Sequence, residues 1–120
     1  MKLTVSTTQR IQLCRDMRTQ TGDAGALRAW WKLEDIFALD DKEKAAIKFQ
    51  TRLVDMQEVY LWDSSVSLPD KVVELELIDV ARTKHALTTS VHRAQDRAWL
   101  EPLLAELEES ASAGLSLVKR

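Results

Sequence analysis

Apolar side chains recur at helical spacing through the first third of the chain. Ile11, Cys14 and Met17 follow one another at three-residue steps, next to Arg18, with Thr4 or Ser6 ahead of them as a cap. Gln20 to Gly25 holds two glycines and almost no apolar residue, which makes it a turn. Asp23 then offers a carboxylate to the orphan amides of a second helix, whose stripe is Ala26, Trp30, Leu33 and Phe37. Asp40 and Glu43 have capping-box spacing behind the apolar Leu39, so a short helix over about 41–48 is expected.

From Phe49 onward the period changes. Val59-Tyr60-Leu61-Trp62 is rich in β-formers, and Asp55-Met56-Gln57 before it reads as a turn. Val73, Leu75 and Leu77 alternate with Glu74 and Glu76, the period-two pattern of a half-buried strand. Pro69 keeps a helical reading of 70–78 open. The strand reading gives a small antiparallel three-stranded sheet or hairpin over 49–54, 58–62 and 71–77. Asp79 is expected to cap the next helix, through Val80, Ala81 and Ala86 or Leu87 toward Val91. The last helix carries Leu100, Leu103, Leu104 and Leu107, with a kink or fresh start at Pro102. The expected fold class is α+β: a mostly helical single domain, with the sheet between two N-terminal and two C-terminal helical segments.

Composition narrows this further. At 120 residues the chain suits one domain, here 1–109, with 110–120 as a flexible tail because Ser110 to Ser116 is built of small residues and leucine. An apolar fraction of 45% and a net charge of −2 exclude general disorder and argue against a strongly basic nucleic-acid binder. Cys14, the single cysteine, cannot form an internal disulfide, and a reducing compartment is the default. No apolar run reaches the ~18 residues that would span a bilayer, and Met1 to Arg10 lacks a signal-peptide core. No membrane partner is therefore expected.

Leu3-Thr4-Val5, Arg10-Ile11-Gln12-Leu13, Leu39-Asp40-Asp41-Lys42-Glu43, Val59-Tyr60-Leu61-Trp62-Asp63, Glu74-Leu75-Glu76-Leu77 and the leucine-rich last helix stand in an order that resembles a group of short, uncharacterised proteins of tailed bacteriophages and prophages. The resemblance runs over roughly residues 3–108. It implies a phage or prophage origin and a setting in the host cytoplasm or the virion, and brings no activity, cofactor or catalytic residue.

Catalytic constellations are not visible. Gly22, Gly25 and Gly114 fit no phosphate loop. Cys14 sits on an apolar stripe, where a small buried hydrophobe is expected, with Arg10 and Arg18 at the solvent edge. His85 and His92 lie two helical turns apart, about 10 Å along an axis and too far for one metal ion. His92 and Asp96 could supply two ligands, but zinc needs a third. The acid pairs Glu34-Asp35, Asp40-Asp41 and Glu108-Glu109 lack the asymmetric surroundings that separate an acid from a base. The expectation is a non-enzyme without cofactor or metal.

Two binding readings remain. Arg10, Arg15, Arg18, Arg28 and Lys32 cluster in the first helix pair and invite a nucleic-acid-binding regulator, diluted by Asp16, Asp23, Glu34 and Asp35. The leading reading is a protein-interaction role, with a phage structural protein or a host factor as partner and self-association left open. Its anchor is Trp31, which stands ~100° around the helix from Trp30, so both cannot centre one buried face. Leu27, Arg28, Trp31 and Lys32 form the candidate contact set, an apolar ring with a polar rim. The alternative for Trp31 and Leu27 is packing under the sheet. Trp30, Trp62 and Trp99 are expected in the core.

Overall fold

The computed structural model describes the backbone of residues 1–118 and the side chains of residues 1–109. The described chain packs as two compact units, one made of residues 1–38 with the segment from residue 70 onward, the other of residues 39–69, a division inside 1–109 that the sequence pattern does not resolve. The α+β class stands, but the expected three-stranded sheet is corrected: there are two separate two-stranded antiparallel sheets.

In the first unit, β1 (Lys2–Val5) pairs with the last strand in chain order, β4 (Lys71–Glu74). Leu3 lies opposite Val73, and both turn inward with Val5 while Lys2, Thr4 and Val72 turn out. The backbone N–H of Leu75 donates to the Met1 carbonyl at 2.7 Å, extending the ladder one step and holding Leu75 in the core. The strand over 71–77 is thus shorter than the alternation implies. Asp79 accepts from the Glu76 N–H at 3.1 Å, and α4 (Leu77–Thr89) begins beyond Glu76. Asp79 therefore acts from inside the first turn, and Glu76, not Asp79, holds the cap position. Leu77, expected on the buried face with Val73 and Leu75, is 41% exposed.

Three helices complete this unit. Ser6 caps α1 (Thr7–Arg18): the Gln9 N–H donates to its hydroxyl, and the Gln9 carboxamide oxygen accepts from the Ser6 N–H. Asp23 caps α2 (Ala24–Phe37) by accepting from the Ala26 N–H at 2.9 Å. The last helix, numbered α5 in chain order, spans Arg97–Val118 behind a 3₁₀ turn at Ala94–Asp96. It runs through Pro102 with no fresh start, and its backbone is helical well past residue 109, where the tail was expected to begin. The side chains of that expected tail, and all of residues 119 and 120, lie outside the described residues. The core gathers Leu13 and Met17 of α1, Leu33 and Phe37 of α2, Val80 and Leu87 of α4, and Trp99, Leu103 and Leu107 of α5. Each such apolar side chain contributes about 1.5–3 kcal/mol through removal from water.

In the second unit, Asp40 and Glu43 form the expected capping box on α3 (Asp41–Ala46). A hairpin of β2 (Gln50–Val54) and β3 (Gln57–Leu61) follows. Val54 pairs with Gln57, and Asp55 and Met56 between them take φ of 50° and 65°, the two-residue turn whose twist suits a hairpin. Phe49 and Tyr60 bring their rings to 5.5 Å on one side of it. Trp62 is half-buried.

Candidate functional site

The five cations of the first helix pair do not share one surface. Arg10, expected at the solvent edge, is 1% exposed. Its Nε donates to the Phe37 carbonyl at 3.0 Å and its Nη2 to the Ala38 carbonyl at 2.8 Å, so the guanidinium closes the C-terminal end of α2. The last carbonyls of a helix lack intrahelical partners and carry partial negative charge, which is why a buried cation is tolerated there. Arg15 Nη2 lies 3.3 Å from Asp16 Oδ1, and Arg18 Nε lies 3.7 Å from Glu34 Oε1. Only Arg28 and Lys32, both exposed, keep their charge clear of any described hydrogen bond or ion pair.

The expected contact set stays together on α2. Trp31 is 55% exposed, which sets aside packing under the sheet, and Leu27 is half-buried one turn earlier. Trp30 turns the other way, stacking on His85 of α4 with ring centroids 6.3 Å apart. Trp99 is buried. The half-buried Cys14 packs against the core, and its thiol donates to the Glu34 carbonyl at 3.7 Å.

Beside Arg28 and Lys32, α2 and α4 bound an open groove of about 690 Å³. Ala29, Leu33, Ile36 and Ile78 supply its apolar lining, and Arg28, Lys32, Arg82, Glu76 and Asp79 its charged one. The Trp30–His85 stack joins the middle of α2 to the second half of α4, whereas Ile36, near the end of α2, shares the groove with Ile78 at the start of α4. The helices therefore run in opposite directions along it. Arg28, Lys32 and Arg82 accordingly gather at one end, and the two acids, at the start of α4, at the other. The residues of α4 were missed in the sequence because the period-two pattern drew Leu77 into a strand. The signal was present: Ile78 and Arg82 are four apart and share a helix face.

A second polar cluster lies where α1 meets the segment before α5. Asp16 is 2% exposed, and burial raises its carboxyl above the usual range against the opposing pull of Arg15 and His92. His92 lies beyond the end of α4, so the two histidines do not share a helical face. Its Nε2 stands 2.7 Å from the Leu87 carbonyl, which places the ring proton on that nitrogen, and 3.7 Å from Asp16 Oδ2. Its ring meets Trp99 edge-on at 5.6 Å. The Arg93 N–H donates to Asp96 at 2.8 Å and is the main cause holding that carboxyl below its usual range. Asp96 therefore closes the 3₁₀ turn from within by accepting from its cap residue Arg93, and His92 turns to Asp16. These contacts pin the residues between α4 and α5 to α1. Among the described residues no group of three or more His, Cys, Asp or Glu side chains is placed to hold a metal ion. No described helix is long and apolar enough to cross a membrane. Compared with known proteins, the chain matches no family model, no curated protein and no solved structure.

Proposed function

We propose that the chain is a small non-enzymatic protein that works by binding another protein through the outer side of α2, with Trp31 as the anchor. The observation that carries this reading is the 55% exposure of the Trp31 side chain between the unpaired Arg28 and Lys32. A large ring left in water beside charged residues has the composition of an interface centre with its rim. In line with the resemblance to short phage and prophage proteins, the partner is a virion component or a host factor, met in the host cytoplasm or the virion. Self-association through the same face is the third form of this reading.

The test is Trp31→Ala. Expected is a melting temperature close to wild type, because the ring has little packing to lose, together with loss of one identified species from pulldowns out of infected cells. If the variant unfolds, or captures the same species as wild type, the anchor is wrong. The second reading, a nucleic-acid-binding regulator, draws its support from Arg28, Lys32 and Arg82, three cations without a described partner. It requires salt-dependent binding of a labelled duplex that weakens when Arg28 and Lys32 are neutralised.

A further inference from the structure

We infer that the groove between α2 and α4 receives an amphipathic helix of the partner whose N-terminal half is acidic, with its glutamates or aspartates over Arg28, Lys32 and Arg82. This rests on the reading of α2 as the docking element and adds the chemistry of what docks. The space of about 690 Å³ lies between two helices running in opposite directions, and a third helix fits that shape. From Arg28 to Ile36 the groove follows eight residues of α2, about 12 Å, or two turns of a bound helix. Ile36 and Ile78 offer it an apolar floor, suited to side chains repeating at three and four residues.

Charge sets the partner's sign and direction. Arg28, Lys32 and Arg82 make no described hydrogen bond or ion pair, and all three lie nearer the Trp30–His85 contact than the two acids do. Glu76 and Asp79 occupy the opposite end. Acids on the incoming helix therefore belong over the three cations, and basic residues over the two carboxylates. Acids also favour the N-terminal turn of any helix, so the bound segment enters with its N-terminus at the cationic end, parallel to α2. A phosphate backbone fits less well, because Glu76 and Asp79 would repel it over half the groove, and its polar surface gains nothing from the apolar floor.

The probe is a labelled 14-residue peptide with leucines at helical spacing, glutamates in its N-terminal half and lysines in its C-terminal half. Its twin has the two charges exchanged. By fluorescence anisotropy the full chain should bind the first peptide about tenfold or more tightly than the twin, whose charge order opposes both the groove in that direction and its own helix dipole; charge reversal on the protein isolates the groove's share. Arg28→Glu with Arg82→Glu should invert that preference. If this pair unfolds the chain, Arg28→Glu with Lys32→Glu, both exposed, carries the same test. Equal binding of both peptides, no binding of either, or an unchanged preference in the charge-reversed chain overturns the inference. So does a 20-base-pair duplex that outcompetes the first peptide. Trp31→Ala separates the two claims. Weaker binding of both peptides without charge preference leaves the anchor and overturns the acidic partner; preference kept at full affinity supports the groove and removes the anchor.

Discussion

Removing the Arg10 guanidinium should be among the most damaging single changes in the first unit. Arg10→Ala deletes the donors to the Phe37 and Ala38 carbonyls, at 3.0 and 2.8 Å. A hydrogen bond to a charged group contributes about 1.5–3 kcal/mol, and a buried carbonyl left without a donor costs about 1–3 kcal/mol. The two figures describe the same loss from two sides and do not add fully. Truncating a side chain that is 1% exposed also opens a cavity between α1 and α2. The expected total is about 3–5 kcal/mol, or roughly 10–20 °C in melting temperature for a chain of this size. Arg10→Lys keeps the charge but replaces a planar fork with a single ammonium, so it should recover only part of the loss. Urea unfolding followed by tryptophan fluorescence measures both variants. A loss below about 1 kcal/mol for Arg10→Ala would mean that water satisfies the end of α2 without help and that the guanidinium is incidental.

Two further substitutions test the packing. Leu75→Ala should cost about 2–5 kcal/mol, as at a filled core site, whereas Leu77→Ala should cost less than ~1 kcal/mol; similar losses would restore the longer strand. Asp16 carries a carboxyl raised by burial, so it binds its proton more tightly folded than unfolded. Its stabilising contribution is present below the ordinary carboxylate pKa and is lost as pH rises through the raised one. Asp16→Asn should therefore melt higher than wild type at neutral pH, with the gap closing as pH falls through the carboxylate range; a lower melting temperature at neutral pH would show that Arg15 and His92 outweigh burial.

What could be read in the sequence depended on distance along the chain. Caps and turns are settled within three or four residues. The Asp23 cap, the Asp40–Glu43 box and a turn at Asp55-Met56-Gln57 were accordingly visible as patterns, and the first cap was narrowed to Thr4 or Ser6. The pairing of β1 with β4 was not. It joins residues about seventy apart, and a four-residue strand shows too little alternation to announce itself beside a stronger helix signal. The error at Leu77 came from the same weakness. A period-two run continued on paper, while the Asp79 carboxylate, three residues beyond Glu76, had already turned the backbone into a helix. The Arg10 site left no local trace, since its acceptors lie 27 and 28 residues away at the end of another helix.

The fate of the basic residues follows from where each helix sits. α1 packs against α2, α4 and α5, so a long polar side chain on almost any of its faces meets another element. Arg10 accordingly reaches the end of α2, and Arg18 reaches Glu34 on α2. The Arg15–Asp16 pair is held on α1 itself, with His92 closing on the Asp16 carboxylate from the segment beyond α4. Burial favours such pairing, because a cation without a counterpart there would cost several kcal/mol. α2 has α1 as its chief neighbour, and its far side meets solvent, so Arg28 and Lys32 remain uncommitted beside an exposed Trp31. Identical residue types thus become internal ties on a central helix and available charge on a peripheral one. A count of arginines along the first helix pair weights the two alike, and so points to a basic face centred on α1. Neighbour number moves the candidate site outward, to the α2 surface and the groove it shares with α4.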